Sequence, residues 1–551
     1  MTNKITPDNG LFFVILKSFF NLINIIVTIY RMVQLKITIV FTLIFLSNSL
    51  KAQQYLGIVG SNYAGTNSLY ANPANRVGSR HKVFVNLAAA DLFVGNNAVK
   101  WNADYTFLRL LRGAVDKTLP KVPWGPNSLE TIDNNNKKNL NGLIDVKGPA
   151  LLYSIDSKQS IALLSRGRGG LSLNNLSPEL AILIQKGSKN PTIIRNGTNQ
   201  NITANMNAFA EVGLNYGRDI SLNPEEAIKI GLTFKRIIGL TNLHFIAKNS
   251  DFQIIDNVPD PSGAPFLYDD VLDIIKFNGK YGNSDEVSGL RDFNYSPGYW
   301  LGKPSPGRGF GVDIGFSYEY RPNIKKYSYR EKGVEKFDET KNKYEYKFGI
   351  SIIDIGVVKF DNSAYVSNYE TTVNNRQLFE HLYTVLPKVT GNELITTTND
   401  VLGTSPTTNI RSFKSKLPLT FQSYFDYKLK ENIYLYATWV QNVRKADNLG
   451  MRMPSLISVV PRYETPWLEF AMPVSLLNDY QLLTIGLSGR FGPFFIGSDN
   501  LQGLLNIGKP KGFDFYTGLN IPINYREAKM TNKCYYDKPE NALKNLFRRK
   551  K

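Results

Sequence analysis

Few side chains in this sequence have the types and spacing that catalysis or metal binding needs. The three histidines, His81, His244 and His381, lie far apart, and none has metal-ligand spacing to another. No G-x-S-x-G or similar nucleophile motif is readable, and the single cysteine, Cys534, can form neither an internal disulfide nor a cysteine-based zinc site. The sequence therefore predicts a protein that is not an enzyme and binds no cofactor or metal. A hydrolytic site assembled from distant residues is the alternative.

The charged residues of interest lie instead in segments of alternating polarity. Asp313 and Glu319 are an even number of positions apart, so a β-strand would place both on one face. Arg166 and Arg168 have alternate spacing within Ser165-Arg-Gly-Arg-Gly-Gly, and they could attract an anion or pair with these carboxylates. If such faces line an enclosed lumen, opposite charges would either hold it shut or mark a translocation path. The same pattern turns further charged residues inward: Lys235, Asp426 and Asp514.

The elements that would position these residues are strands with a strict period of two. In segment 310–320 every apolar side chain falls on one face and every polar or small one on the other. The turn at 430–432 between two such segments is typical of a tight hairpin. Comparable segments are 208–216, 227–236, 344–352, 419–429, 433–440, 482–488 and 513–525. We count about fourteen candidate strands.

Such strands occur both in soluble sandwiches and in membrane barrels. The strands here approach the roughly nine to eleven residues of a tilted membrane crossing, and their apolar faces often end in Tyr or Phe. Short turns alternate with long connections, at 118–148, 251–307 and 361–417. The predicted fold class is therefore all-β, a transmembrane antiparallel β-barrel of about 14 strands with long loops.

Two helices are predicted within the connections. One covers residues 376–389, where apolar residues have helical spacing, and would pack on the barrel rim or act as a lid. The other begins at Pro178, with Ser177 as its N-cap.

The first part of the chain is predicted to direct export. Residues 32–52 have the basic, apolar and small-residue regions of a secretory signal peptide, and cleavage after Ala52 would leave Gln53 first. Residues 1–31 are interpreted as an over-extended gene start before Met32. The alternative is an authentic helical anchor over residues 11–30.

The formal charge of +19 is spread along the chain rather than gathered on one helix. The densest cluster, Arg548-Arg549-Lys550-Lys551, is best explained as a solvated tail, so no nucleic-acid partner is predicted. A basic lumen or rim that draws anions, or contact with acidic lipid headgroups, is also consistent with this charge.

Segment 55–74, Tyr-Leu-Gly-Ile-Val-Gly-Ser-Asn-Tyr-Ala-Gly-Thr-Asn-Ser-Leu-Tyr-Ala-Asn-Pro-Ala, resembles the start of an uncharacterised family of Bacteroidetes outer-membrane barrels. Its Asn72-Pro73-Ala74 element is similar to one in FadL-type channels for hydrophobic compounds and in the PorV-type barrel of type IX secretion. Further matches are 162–168, 229–235, 349–356 and 497–501. The resemblance implies fourteen strands and a segment before the first strand that enters the lumen as a plug. The basic tail departs from barrels that end on an aromatic strand residue.

These observations divide the chain into an extra apolar segment (1–31), a signal peptide (32–52), a plug-like segment (53–80), an outer-membrane barrel (81–525) and a basic periplasmic tail (526–551). Outer-membrane lipid is the expected surrounding. One predicted function is passive transport of a hydrophobic or small solute. The alternative is a barrel that binds a periplasmic or surface protein in secretion or surface assembly. A continuous polar lumen, or an apolar pocket behind the plug, would favour transport, whereas a filled lumen with ordered loops would favour the alternative.

Overall fold

The computed structural model describes residues 55–106, 109, 112, 128–186, 196–259, 268–284, 305–331, 334–362, 366–379, 392–404, 409–445 and 447–524. The predicted leader segments (1–52), His381, Cys534 and the basic tail lie outside these residues. Within them, fourteen antiparallel strands form one closed barrel, as the sequence predicted. The strands are β1 (His81–Asn96), β2 (Lys138–Lys147 and Ala150–Ser154), β3 (Gln159–Leu176), β4 (Asn196–Asp219), β5 (Glu226–Pro259), β6 (Gly307–Tyr320), β7 (Tyr346–Phe360), β8 (Phe413–Lys416 and Thr420–Lys430), β9 (Ile433–Asn442), β10 (Leu456–Glu464), β11 (Leu468–Ala471 and Val474–Leu477), β12 (Leu482–Ile485 and Leu487–Phe491), β13 (Phe494–Ser498) and β14 (Gly512–Asn524).

The barrel closes between its first and last strands. β1 pairs with β14 from His81 opposite Asn524 to Gly95 opposite Gly512, and it pairs with β2 along its other edge. We call the end where β1 begins and β14 ends the near end, and the opposite end the far end. The β8–β9 hairpin turns at the near end, where Asn432 adopts a φ of 66° as a tight turn requires.

The barrel is apolar outside and polar inside. On β6, Phe310 and Ile314 are exposed, whereas Gly311, Asp313 and Ser317 on the other face are buried. The same alternation runs along β8 and along β14, on the faces that the sequence predicted. Because a soluble protein buries its apolar face, this arrangement suits a barrel surrounded by lipid.

The connections differ from the predicted ones in two ways. The predicted loops 118–148, 251–307 and 361–417 are shorter than expected because each contains strand residues. The near end also carries a long connection, 321–345, with a 3-10 helix (Ile324–Tyr327) and a small hairpin (Ser328–Glu331 with Val334–Phe337). The strand residues within the predicted loops were missed because they lack the long, uninterrupted apolar alternation by which a strand is recognised.

A sheet rises from the far end of the barrel, and we call it the arm. β5 pairs with β6 only as far as Gly239, and beyond Asn242 it pairs with a strand at Tyr268–Ser284. That strand pairs in turn with Val366–Phe379. Lys276, Lys280 and Glu370 are among its exposed residues, so the arm surface is polar where the barrel wall is apolar. The arm therefore continues β5 into water.

Four helices lie among the described residues: α1 (Leu56–Val59), α2 (Pro178–Lys186), α3 (Asn392–Leu402) and α4 (Leu501–Leu505). α2 begins as predicted, and the Leu180 N–H donates to the Ser177 hydroxyl at 3.2 Å. The helix predicted over 376–389 is wrong at its start, where a strand runs to Phe379, and residues 380–391 lie outside the described part. Among the described residues, no helix has the length and apolar content to cross a bilayer.

Candidate functional site: the filled barrel interior

The chain before β1 lies buried against inward-facing groups of the barrel. We call residues 55–79 the interior segment; it contains α1 and a 3-10 helix (Gly65–Tyr70). Tyr55 packs on Phe495 and Tyr516 inside the barrel. Gly78 lies beside the Ser157 carbonyl at the near end. The segment therefore runs through much of the barrel before the chain reaches β1.

The middle of the segment is held by buried carboxylates at the near end. The Ser61 hydroxyl donates to Glu469 at 2.7 Å, and the Asn62 N–H donates to Glu464 at 3.2 Å. Arg462 pairs with Glu464 at 3.2 Å, and Arg490 pairs with Glu469 at 3.0 Å. A single short turn thus contacts groups from β10 and β11.

Arg76 stabilises the fold of the interior segment itself. Its guanidinium donates to the carbonyls of Ser61 and Asn62 at 3.1 and 3.2 Å, and to the Ser68 hydroxyl. Burial lowers the pKa of Arg76 to about 10, so the group stays protonated at neutral pH. The segment is therefore a folded loop closed by its own arginine.

The predicted Asn72-Pro73-Ala74 element contacts the barrel wall directly. The Asn72 side-chain amide donates to the carbonyls of Phe316 on β6 and Ile350 on β7, at 2.9 and 3.2 Å. The Pro73 carbonyl accepts from Asn215 on β4 at 3.2 Å. This close approach depends on glycines in the wall, since a Cβ on Gly231 or Gly315 would overlap atoms of Asn72, Pro73 or Ala74.

On the far-end side of this element lies an ion-pair network that includes Arg168 and Asp313. Arg168 donates to both carboxylate oxygens of Asp354, at 2.6 and 2.8 Å, and also pairs with Glu211. Lys235 lies 2.7 Å from Asp313 and also pairs with Asp354. The Asp354 N–H donates to Asp313 at 2.7 Å. Arg168 therefore pairs with carboxylates, but with Glu211 and Asp354 rather than with the predicted Asp313 or Glu319.

Arg166 forms a second group beside this network. It donates to both oxygens of Asp145, at 2.6 and 2.7 Å, and Lys147 lies 4.0 Å from the same carboxylate. Over both groups, four cations face four carboxylates, so the formal charges cancel: Lys147, Arg166, Arg168 and Lys235 against Asp145, Glu211, Asp313 and Asp354. Five of these residues, Asp145, Lys147, Arg166, Arg168 and Asp354, help to line a cavity of about 20 Å³, enough for one water molecule.

Glu319 belongs to a separate site at the near end. Its carboxylate pairs with Lys229 and with Arg321, each at 2.5 Å. The sequence grouped Glu319 with Asp313 because they share a face of β6, but the interior segment passes between the levels of the two residues. They therefore do not form one charged patch.

An apolar layer closes the far side of the interior. Met451 and Met453, in the connection after β9, pack with inward side chains of several strands. The layer comprises Leu143, Phe209, Ile237, Val358, Phe360, Val366, Phe413, Leu417, Met451 and Met453. Arg444 fixes this connection through its hydrogen bond to the Leu449 carbonyl at 2.9 Å. The described interior is thus filled by an apolar layer, a neutral ionic layer and the interior segment.

The histidines are not brought together. His244 is buried, with its ring nitrogens 2.8 Å from the Asn242 and 3.1 Å from the Asn368 side-chain oxygens. His81 lies at the other end of the barrel, at the start of β1. Among the described residues, no group of three His, Cys, Asp or Glu side chains is arranged to hold a metal ion.

Sequence reasoning missed the central member of the ionic network, Asp354. A bulge in β7, where Asp354 has a φ of 67°, turns Ile353 and Asp354 inward in succession. Strict alternation would place them on opposite faces. The doubled isoleucine in Gly349-Ile-Ser-Ile-Ile-Asp was the available signal of this break.

Three solved structures are similar to the chain at low sequence identity and with TM-scores below 0.5. The chain is similar to a Pseudomonas aeruginosa FadL homologue (10% identity, TM-score 0.30, covering 87% of this chain and 100% of that one). It is also similar to the deltaS2 mutant of the monoaromatic hydrocarbon channel TodX (8% identity, TM-score 0.34, covering 84% of this chain and 95% of that one). A third similar structure is that of the Ralstonia pickettii toluene transporter TbuX (10% identity, TM-score 0.32, covering 84% of this chain and 94% of that one). Similarity this low carries no argument about function.

The sequence comparisons are more specific about family than about activity. No curated protein sequence matches the chain. A family profile described as "Family of unknown function (DUF5723)" matches residues 73–499, which is most of the barrel. The chain therefore belongs to the family of unknown function DUF5723.

Proposed function

We propose that this chain is an outer-membrane protein whose barrel is closed to solutes and whose arm binds a protein partner. The membrane part rests on the exposed apolar surface, which residues such as Leu232, Ile314 and Leu483 supply at 49–64% exposure. Half-exposed tyrosines mark its near edge: Tyr153, Tyr216 and Tyr463. At the far edge the Trp439 indole donates to the Tyr480 hydroxyl at 2.7 Å. Aromatic side chains at both edges are typical of membrane interfaces.

The filled interior is the observation that carries the proposal. An open pore needs a continuous water path, whereas the described interior is divided by the apolar layer, the neutral ionic layer and the interior segment. Paired charges inside a barrel add rigidity without offering a free charge to a passing ion. This arrangement supports a scaffold rather than a pore.

The arm is the part of the barrel suited to partner binding. It is anchored by β5 itself, and α3 packs on it through Ile395 and Leu402 against Phe277 and Tyr369. Most of its exposed side chains are polar or charged, with Ile275 exposed beside them, as in a binding surface that must stay soluble when free. A rigid surface presented above the membrane would bind without paying the cost of ordering a loop.

Reconstitution tests the closed state. Purified barrel in liposomes should show no swelling in small sugars and no steady conductance, and a variant lacking residues 55–79 should show both. Solute flux through the intact wild-type barrel would contradict the proposed closed scaffold.

Site-specific photo-crosslinking in cells tests the arm. A crosslinker at Thr372 on the arm should give one protein adduct of defined mass, and the matched position Leu483 on the lipid-facing wall should give lipid adducts only. An arm that yields no protein adduct at Thr372, Asn374 or Lys280 would contradict partner binding.

Passive transport of a hydrophobic or small solute is a second candidate, and the methionine-containing apolar layer favours it. Met451 and Met453 are flexible side chains that could rearrange around an apolar solute at the far end. Onward passage would then require the interior segment to move. Uptake of an apolar solute that is abolished by Met451→Lys, in a barrel that still folds, would favour this candidate over the scaffold.

A further inference from the structure

Four cationic side chains lie together on the outer face of the wall, at the far end of β6, β7 and β8. Arg308 on β6 is the register partner of Lys359 on β7, and Lys359 is in turn the register partner of Lys414 on β8. Lys416 follows Lys414 on the same face, and all four side chains are exposed. We call these four residues the basic row.

The basic row is an unfavourable arrangement for the protein alone. Directly opposite residues of antiparallel strands have Cβ atoms about 4.5–5.5 Å apart, and like charges in that position repel. In the described part of the chain the row contacts one carboxylate, Asp361, which lies 3.8 Å from Arg308 and 2.8 Å from Lys359. Lys414 and Lys416 have no ion pair with a described residue. The row therefore has a surplus of positive charge that an external anion would neutralise.

The row lies where the apolar surface of the wall ends. Phe310 follows Arg308 on the outer face of β6, and its register partner Val357 is also the partner of Lys416. Phe310 and Val357 are 55% and 40% exposed. Arg236 on β5 extends the positive surface, since its guanidinium lies 4.8 Å from the Phe310 ring centroid. Long cationic side chains beside lipid-facing apolar ones are typical of the level of the lipid headgroups.

The lengths of the connections indicate which leaflet the row meets. In outer-membrane barrels, short turns face the periplasm and long loops face outward. Apart from 321–345, the near-end turns are short, as at 155–158 and 431–432, whereas the far-end connections 97–137 and 361–412 are long. In an outer membrane the basic row would therefore lie among the headgroups of the outer leaflet.

We propose that the basic row binds the phosphate groups of an outer-leaflet lipid whose acyl chains lie on Phe310 and Val357. Phosphate oxygens accept hydrogen bonds from guanidinium and ammonium groups, and their negative charge relieves the repulsion between neighbouring cations. A free anion or an acidic protein would match the charge but would not use the apolar surface beside it. The row suits an anion that is attached to a hydrophobic body. The inference rests on the proposed outer-membrane location and concerns the wall rather than the partner-binding surface of the arm.

The position of the row links the lipid to the arm. Connection 361–412 carries the arm strand Val366–Phe379 and α3, and it leaves the wall after Phe360 and returns at Phe413. Lys359 and Lys414 are the residues next to those two points, and they are register partners. A phosphate bound by both would hold the base of this connection together.

Native mass spectrometry of the full barrel in a neutral detergent tests the site. Dioleoyl phosphatidic acid and dioleoyl phosphatidylcholine are the probes, because they share acyl chains and differ in headgroup charge. Wild type should bind phosphatidic acid more tightly than phosphatidylcholine. Lys414→Gln with Lys416→Gln should weaken phosphatidic acid binding about thirtyfold, since each basic residue near an anionic lipid surface contributes about fivefold. Binding of phosphatidylcholine should not change.

Two further variants separate the row from general effects of charge and folding. Lys248→Gln with Lys280→Gln removes the same charge from half-exposed positions on the arm, so it should bind phosphatidic acid as wild type does. Asp361→Asn should tighten binding, because it releases Arg308 and Lys359 from their carboxylate. A damaged fold would not produce this gain, and heat-modifiable gel migration would confirm that each variant is folded.

The outcomes separate the inference from the proposed function. Equal weakening by the row and arm variants, or weaker binding in Asp361→Asn, would overturn the inference. Displacement of phosphatidic acid by an equal concentration of inorganic phosphate would also overturn it, because the apolar surface would then contribute nothing. These three results would leave the outer-membrane proposal standing. A barrel that cell fractionation finds outside the outer membrane would overturn the proposed function and the outer-leaflet site together.

Discussion

Arg168 on β3 donates two hydrogen bonds, 2.6 and 2.8 Å long, to the carboxylate of Asp354 on β7. The two strands are not neighbours in the barrel wall, since β3 pairs with β2 and β4 while β7 pairs with β6 and β8. The ion pair therefore spans the interior and fixes the distance between two parts of the wall. Backbone hydrogen bonds between adjacent strands cannot do this.

Breaking this pair should destabilise the barrel strongly. Arg168→Met leaves Asp354 buried with one fewer cation, and removing one partner of a buried pair costs about 3–5 kcal/mol. Urea unfolding followed by tryptophan fluorescence and by heat-modifiable gel migration should show this loss. The double variant Arg168→Met with Asp354→Leu should recover part of it.

The exposed pair between Lys280 and Glu370 on the arm is the matched control. Both side chains are about half exposed, so Glu370→Gln should change the free energy of unfolding by no more than about 1 kcal/mol. Equal losses at Arg168 and Glu370 would mean that the interior network does not hold the barrel.

A charge on the outer wall should be costly only where lipid contacts the protein. Ile314 lies midway along β6, and an arginine near the bilayer midplane costs about 2–4 kcal/mol. Leu222 is fully exposed in the near-end turn between β4 and β5, so Leu222→Arg should be close to neutral. Folding yield and unfolding in lipid vesicles would compare the two. A neutral Ile314→Arg would contradict the membrane-spanning barrel.

Added methyl groups on wall glycines should displace the interior segment. Gly231→Ala would overlap backbone atoms of Pro73 and Ala74, which cannot move as a flexible side chain would. We expect faster trypsin cleavage after Arg76 and measurable ion conductance in bilayers. Gly167→Ala, whose nearest neighbour would be 4.0 Å away, should behave as wild type. Equal protease resistance of the Gly231 and Gly167 variants would contradict close packing of the segment on the wall.

The Asn72 side chain should matter for its donors as well as for its shape. Asn72→Asp keeps the size but leaves the Phe316 and Ile350 carbonyls without the amide donor. Both variants lose this donor, at about 1–3 kcal/mol for each unsatisfied buried group, but Asn72→Asp also buries a carboxylate against the two carbonyl oxygens, so it should destabilise the segment more than Asn72→Gly does. Hydrogen exchange of residues 55–79 would report the difference. The same exchange rates in both variants would count against these hydrogen bonds.

Local alternation was sufficient to predict the wall of the barrel. Residues such as Phe310 and Asp313 lie on the predicted faces because a strand has only two faces and its apolar side chains all lie on one of them. The arm could not be predicted in this way. In the strand Tyr268–Ser284 the alternation covers only residues 276–281, where Phe277 and Tyr281 are buried and Lys276 and Lys280 are exposed, and this is too short to be recognised beside the wall strands.

The interior was predictable in content but not in its contacts. The inward charges Arg168 and Asp313 followed from alternation, but the position of Asp354 depended on a bulge, and the Asp145–Arg166 pair depended on the register between the adjacent strands β2 and β3. Pairings across a lumen depend on strand order and register, which a single sequence does not determine.

The enclosure of residues 55–79 by all sides of the wall restricts the order of assembly. The folded loop closed by Arg76 packs against wall residues as far apart as Gly231 on β5 and Tyr516 on β14, so threading it into a finished barrel would require the wall to open. The N-terminal loop must therefore be present before β1 meets β14. The segment thus acts as an internal template around which the strands are wrapped, and late pairing of β14 is the step that makes its position irreversible.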